Sequence, residues 1–172
     1  MILIYNNFIS LRAGIASSWS DIDVQLKRRY DLIPALVDTI KGYKSYEAET
    51  LERVVKARQI GVGATSVDEK SKATGMLSGA LGRLFALSEA YPELKANTTF
   101  IQLQEELSSI EEAIQSSRRY YNAIVRDYNS KVESFPHLFV ARKFGFEEKF
   151  YFEVDKGEES EIKKMPKIDL GA

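Results

Sequence analysis

Residues 4 to 41 keep a helical rhythm. Phe8, Leu11, Ile15, Trp19, Ile22, Leu26, Ile33, Val37 and Ile40 recur at spacings of three, four and seven, which lays them along one stripe of an α-helix. The stripe stays in phase across Pro34. A proline inside a helix lacks the N–H that bonds the carbonyl four residues back, here that of Tyr30. Either the helix continues through Pro34 with a kink, or it stops near Arg29 and restarts with Asp31 as N-cap and Pro34 in the first turn. The unbroken phase favours continuation. A reversal at 30–33 leaves Leu32 and Ile33 in a loop, whereas Gly42 with Ser45 offers a better stop and start.

The next helix is expected over 46–62, with Leu51, Val54 and Val55 inward and Gly61-Val62-Gly63 at its end. Ser66-Val67-Asp68-Glu69 matches a capping box and opens a third helix, whose inner face reads Met76, Leu77, Ala80, Leu81, Leu84 and Phe85. Tyr91-Pro92 stops it, Pro92 opens one extra turn, and Asn97 caps the helix after that. This last long helix, over 98–133, has the clearest pattern. Phe100, Leu103, Leu107, Ile110, Ile114, Ser117, Tyr121, Ile124 and Tyr128 alternate steps of three and four, a heptad seam with Ser117 as its polar member. Val132 continues the seam and Ser134-Phe135-Pro136 ends the helix, which at about 1.5 Å per residue is roughly 54 Å long. Phe135, Phe139, Phe144, Phe146, Phe150 and Phe152 then crowd a short tail. A helix over 138–144 with Gly145 beyond its end is expected there, the rest running extended over the bundle. After 153 the chain turns acidic and poor in large apolar residues, and is expected to be loosely held.

These elements predict an all-α chain: an antiparallel four-helix bundle of two long and two shorter helices with an aromatic-rich C-terminal extension. Residues 1–134 form the bundle and 135–172 the extension, within one domain of a size that buries a substantial core. The net charge of −1 supplies no basic field for nucleic acid. The absence of Cys excludes disulfides, thiolate metal sites and Cys nucleophiles, and a single His, His137, excludes multi-His zinc sites and the paired Glu-x-x-His of di-iron bundles within one chain. There is no Gly-rich phosphate loop and no Gly-x-Ser-x-Gly, so no cofactor is expected. No run approaches the roughly 20 apolar residues that span a bilayer. Met1-Ile2-Leu3-Ile4 is apolar without a polar lead-in: either a frayed helix start or the stump of an apolar segment.

The polar residues of the first helix are the main candidates for a site. Asp21, Gln25 and Arg28 share one face at i, i+4 and i+7, and Arg28 can also reach Asp31. With Asp23, Arg29 and the Asn122 and Asn129 of the last helix they form a candidate polar interaction site, for ligand binding or catalysis. The plainer reading is helix-surface pairs or bridges between helices, each contributing about 0–1 kcal/mol if exposed. Lys27-Arg28-Arg29 reads as a solvated helix face rather than a lipid or nucleic-acid contact. His137 has no recognisable catalytic partner and reads as a cap or a solvent-facing residue. The phenylalanines of the tail read as a partner-binding patch or, given their density, as a lid over one end of the bundle.

Taken together these segments resemble the LemA family, from about Tyr5 to Glu153. The resemblance rests on Tyr5-Asn6, Leu11-Arg12 and above all Trp19-Ser-Asp-Ile-Asp-Val-Gln-Leu-Lys-Arg-Arg-Tyr-Asp-Leu-Ile-Pro34. It continues in Ile40-Lys-Gly-Tyr43, Ala57-Arg58, Leu81-Gly-Arg-Leu-Phe-Ala86, Glu89-Ala-Tyr-Pro-Glu-Leu-Lys-Ala-Asn97 and Leu103-Gln-Glu-Glu-Leu107. It closes in Tyr121-Asn122, Tyr128-Asn129, Phe135-Pro136, Phe144-Gly-Phe146 and Tyr151-Phe-Glu153. It implies a bacterial protein with one N-terminal transmembrane helix, whose end would be Met1–Ile4, and a helical bundle on the inner side of the cell membrane. It implies no established activity, substrate or cofactor. Two positions depart from the family pattern: Ala35 stands where Asn is usual, and Tyr46-Glu47 where His-Glu is frequent. If either polar residue belonged to a shared active site, this chain would lack it. The function expected is therefore a membrane-anchored, non-enzymatic bundle that binds an unidentified protein partner. The Asp/Arg-rich site is the alternative, and coiled-coil-like homo-oligomerisation a third possibility.

Overall fold

The computed structural model describes residues 1–42 and 48–153. Ser45, the Tyr46-Glu47 pair and the acidic stretch after 153 lie outside the described residues. Among the described residues six helices succeed one another: α1 (Ile2–Lys41), α2 (Ala48–Gly63), α3 (Val67–Ser88), α4 (Pro92–Lys95), α5 (Thr98–Glu133) and α6 (His137–Phe144). No strand occurs among the described residues, so the fold is all-helical. α1 packs along α5, α2 packs on α3 and also meets α1, α4 touches α3 and α5, and α6 lies against α1 and α5.

Local chemistry accounts for the boundaries. Ser66 accepts a hydrogen bond from the Glu69 amide while the Glu69 carboxylate accepts from the Ser66 and Thr65 amides, the reciprocal capping box that starts α3. Pro92 sits in the first turn of α4, and Asn97 accepts from the Phe100 amide to cap α5. Gly145 ends α6 in the left-handed conformation that costs glycine least, with φ of 68°. α1 runs unbroken through Pro34 to Lys41, so the chain does not reverse at 30–33.

The core departs from the expected stripes in four places. In α1, Leu11 and Trp19 are only half-buried, whereas Ser18, Arg29, Tyr30 and Leu36 join the buried face, because a helix flanked on several sides buries a wider arc than one seam. In α3, Met76 is about half exposed, and the inner face is Ser71, Thr74, Leu77, Leu81, Leu84 and Ser88. In α5, Val125 takes the seam position expected for Ile124, which instead lies over Gly14 of α1. Ala57 and Gly61 share the inner face of α2 with Leu51 and Val54, and Val55 is half-buried. The buried hydroxyls of Ser18, Thr74 and Ser88 donate to carbonyls of their own helices, of Ile15, Lys70 and Phe85 respectively.

The tail forms a strap rather than a full lid. Phe146 stacks on Phe8 at 4.7 Å, and the fully buried Phe152 meets Trp19 at 5.6 Å. Phe135, Phe139, Phe144 and Phe150 stay exposed. The strap therefore tracks α1 from Phe8 towards Trp19 and leaves most of the tail phenylalanines in water.

The capping box predicts a specific response to acid. Backbone hydrogen bonds from Thr65 and Ser66 hold the Glu69 carboxyl below the ordinary glutamate range. Its contribution is therefore present above the unfolded-state value and is lost as pH falls through the lowered native value. Ser66→Ala should cost about 1 kcal/mol in urea unfolding at neutral pH. In Glu69→Gln the acid-side decline of α3 N-terminal amide protection should be attenuated.

Candidate functional site

The segment Trp19–Pro34 places its polar residues around α1, and each reaches a different neighbour. Asp23 pairs with Lys70 of α3, whose ammonium also lies 5.7 Å from the Trp19 ring. Arg28 donates to Gln25 one turn back at 3.3 Å and lies 3.8 Å from Glu106 of α5; both partners of that ion pair are about half exposed, so it contributes about 0–1 kcal/mol. Arg28 turns to Glu106 rather than to Asp31. Asp21 and Asp31 are exposed, with no hydrogen bond or ion pair among the described residues.

Arg29 does not belong to a solvated basic face. It is 3% exposed and enters the helix junction. Its Nη2 donates to Ser78 Oγ of α3 at 3.0 Å, and its Nη1 lies 2.9 Å from Glu111 Oε2 of α5. That second approach is out of line with the N–H, so it is an ion pair rather than a hydrogen bond, and Nε has no acceptor among the described residues. Burial pulls the guanidinium below its ordinary value, and the Glu111 carboxylate opposes that pull. Arg29 thus joins α1 to α3 and α5 through one planar group.

The next residue fixes α2. Pro34 cannot donate to the Tyr30 carbonyl, and Arg58 Nε of α2 donates to it instead at 2.8 Å. The Tyr30 ring packs against α2 so closely that a Cβ on Gly61 would lie 2.6 Å from the Tyr30 hydroxyl oxygen. Gly61 is therefore a packing requirement of the α1–α2 contact. Burial raises the Tyr30 phenol above its ordinary value.

Asn122 and Asn129 do a separate task. Asn122 accepts from the Phe152 amide at 2.8 Å and donates to the Phe152 carbonyl at 3.1 Å. Asn129 does the same to Lys149, at 2.8 and 2.9 Å. Seven residues of helix advance about 10.5 Å, and three residues of extended chain about 10 Å. Two asparagines one heptad apart therefore match two backbone positions three apart on the strap. Tyr121 donates to the Phe150 carbonyl at 2.9 Å, and Ser71 of α3 donates to the Glu153 carbonyl. His137 is half-buried edge-on to Phe8 at 6.1 Å and caps nothing, since it is the first residue of α6.

Three of the concavities among the described residues bear on the candidate residues or on the exposed helix faces. One of about 290 Å³ is lined by Asp23, Lys27, Tyr30, Asp31, Arg58, Gly61, Val62 and Lys70. It brings together two of the sequence candidates, Asp23 and Asp31; Asp21, Gln25, Arg28, Arg29, Asn122 and Asn129 are outside it. A second, of about 370 Å³ between α2 and α3, has Ala57, Gly75, Met76, Gly79 and Ala80 beside Arg53, Lys56 and Arg83. A third, of about 460 Å³, runs between α5 and the strap and is lined by Arg118, Arg119, Asn122, Ala123, Arg126, Tyr151, Phe152 and Glu153. Among the described residues no group of three or more His, Asp or Glu is placed to hold a metal. Lys70, Ser78, Glu111 and Arg58 carry no mark in the sequence as partners, because each meets its counterpart from a helix distant in the chain.

Comparison with known proteins gives a consistent relationship. A family model described as the LemA family matches residues 18–170. Protein LemA of Metamycoplasma hominis is 35% identical over 133 residues, covering 75% of this chain and 59% of that protein. Magnetosome protein MamQ 2 of Paramagnetospirillum magneticum is 24% identical over 179 aligned positions, covering 89% of this chain and 66% of that protein. Magnetosome protein MamQ of Magnetospirillum gryphiswaldense is 24% identical over 178, covering 88% and 65%. The chain spans 59% to 66% of the length of these relatives.

The asymmetry of the Arg29–Glu111 pair predicts an order of effects. Glu111→Ala leaves a buried guanidinium uncompensated and should cost about 3 kcal/mol. Arg29→Met removes the charge and leaves Glu111, which is one-third exposed, free to hydrate; it should cost about 1 kcal/mol. Urea unfolding of the two variants checks the order.

Proposed function

This chain belongs to the LemA family, by the match over residues 18–170 and the 35% identity to Protein LemA of Metamycoplasma hominis, and on that premise we propose that it is a membrane-tethered, non-enzymatic helical bundle that binds protein partners. In this reading α1, α2, α3 and α5 act as an antiparallel four-helix bundle with α6 and the strap as its extension. The α1–α5 and α2–α3 packing supports that arrangement. The tether is the N-terminal membrane helix that the family resemblance implies, with the bundle on the inner side.

The observation that carries the reading is the use made of the polar residues. Asp23, Arg28, Arg29, Asn122 and Asn129 are each committed to another helix or to the strap. A framework tied in this way holds its outer faces in fixed relation. Of those faces, the α2–α3 groove best suits a protein partner. Its floor is small and apolar, Met76 stands half exposed in it, and Lys56 and Arg83 are exposed at its edge. Such a groove suits an acidic, amphipathic segment, from another protein or from a second copy of the chain.

A polar-ligand site is the second reading, favoured by the shared concavity of Asp23, Lys27, Asp31, Arg58 and Lys70. It stands second because Asp23 is already paired with Lys70 and Arg58 with the Tyr30 carbonyl.

A photo-crosslinking residue in place of Met76, in the full-length protein expressed in cells, should give a discrete protein adduct. The adduct should be lost with Lys56→Glu and Arg83→Glu. Absence of an adduct, or an adduct indifferent to the charge reversals, contradicts the reading.

A further inference from the structure

The end of the molecule where α1 begins and α5 finishes is apolar on its outside. Phe135 is 80% exposed and Phe139 64%, and their rings meet edge to face at 5.9 Å. Phe144 is about half exposed, and Ile2 and Leu3 in the first turn of α1 are exposed as well. These side chains share one end of the molecule. The Phe144 ring lies 4.8 Å from Tyr5 and His137 lies 6.1 Å from Phe8, so α6 crosses the first two turns of α1.

The outward aromatics are fixed there by what α6 buries. The helix turns Val140 and Ala141 inward, and the left-handed Gly145 returns the chain so that Phe146 stacks on Phe8. Phe139 is thereby held facing water on a short helix whose position is set from both ends. Arg142 and Lys143 on the same helix are also exposed, and the Lys143 ammonium lies 5.8 Å from the Phe144 ring. α6 carries no acidic residue. Of the acids nearby, Glu133, Glu147 and Glu148 are exposed, and the neighbouring Glu133 carboxyl raises that of Glu148 above its ordinary value.

Aromatic side chains interleaved with Lys and Arg on a short helix have the composition of segments that lie in the bilayer interface. A folded partner or a peptide needs a matching shape to cover three phenylalanines, whereas the headgroup boundary of a bilayer does not.

We propose that α6 and the first turn of α1 form a membrane-contact face, with Phe135, Phe139 and Phe144 entering the headgroup boundary of an anionic bilayer and Arg142 and Lys143 pairing with its phosphates. This rests on the membrane placement given under the proposed function. It adds that the folded bundle itself engages lipid, at one end and in one orientation.

The chain contains no cysteine, so single cysteines can carry an environment-sensitive dye at chosen positions. The 172-residue chain should float with vesicles of phosphatidylcholine and phosphatidylglycerol, and more weakly with phosphatidylcholine alone. Dyes at Phe135→Cys and Phe139→Cys should shift to the blue on vesicle addition, and a dye at Met76→Cys should not. The doubly exposed change Phe135→Ser/Phe139→Ser, with helicity retained, should weaken vesicle binding by about tenfold or more. Arg142→Glu/Lys143→Glu should remove the preference for the anionic vesicles. Four results would overturn the proposal: no flotation, an equal dye shift at position 76, binding unchanged by the serine pair, or a concentration-dependent dimer abolished by that pair, which would assign the patch to a second copy. The crosslink from Met76 is independent of all four, so loss of this inference leaves the partner-binding reading to its own test.

Discussion

The carbonyl of Tyr30 is the constraint on which the helix junction turns. Pro34 deprives it of its helical donor inside the longest helix, two turns before its end, and a buried backbone carbonyl left unpaired costs as much as a lost hydrogen bond. Arg58 meets that need from α2, so the defect in α1 becomes the point at which a second helix is attached. One residue earlier, Arg29 is drawn inward between α3 and α5, and the Tyr30 ring presses on Gly61. Four helices, α1, α2, α3 and α5, are thereby referred to two adjacent residues. The proline that looks like an interruption is what makes the connection necessary.

The strap depends on a second matching of repeats. A heptad of α5 and three residues of extended chain cover nearly the same distance, so Asn122 and Asn129 can each hold a backbone amide and carbonyl as a neighbouring strand would. Phe146 and Phe152 fill the sites this creates against Phe8 and Trp19. Phe139 and Phe144 are left outside because α6 turns Val140 and Ala141 inward.

Much of this was legible in the sequence. The helices, the Ser66–Glu69 box, the Asn97 cap and the Gly145 stop come from local chemistry, and periodicity carried α1 across Pro34. The seams were less exact. Met76 and Ile124 sit one residue from Leu77 and Val125, a rotation of roughly 100° that only the neighbouring helices decide. The polar residues were found but their partners were not. Arg29 reads like Arg28 in the chain, yet one is buried and the other exposed, because Ser78 and Glu111 arrive from helices distant in sequence. Likewise, two asparagines on α5 give no sign that their counterpart is backbone twenty to thirty residues away. Side chain-to-backbone ties of this kind leave no pattern in the partner.

The Trp19–Pro34 segment is a brace, and its most direct test is the coupling between Pro34 and Arg58. Arg58→Met removes the donor to the Tyr30 carbonyl, while Pro34→Ala returns a helical N–H to the same acceptor. Urea unfolding of the two single variants and the double variant gives their coupling energy. If the brace is centred on this carbonyl, Arg58→Met costs about 2 kcal/mol when Pro34 is present and at least about 1 kcal/mol less when Ala replaces it. An equal cost in both backgrounds would show that Arg58 does not answer the proline, and the brace would lose its centre.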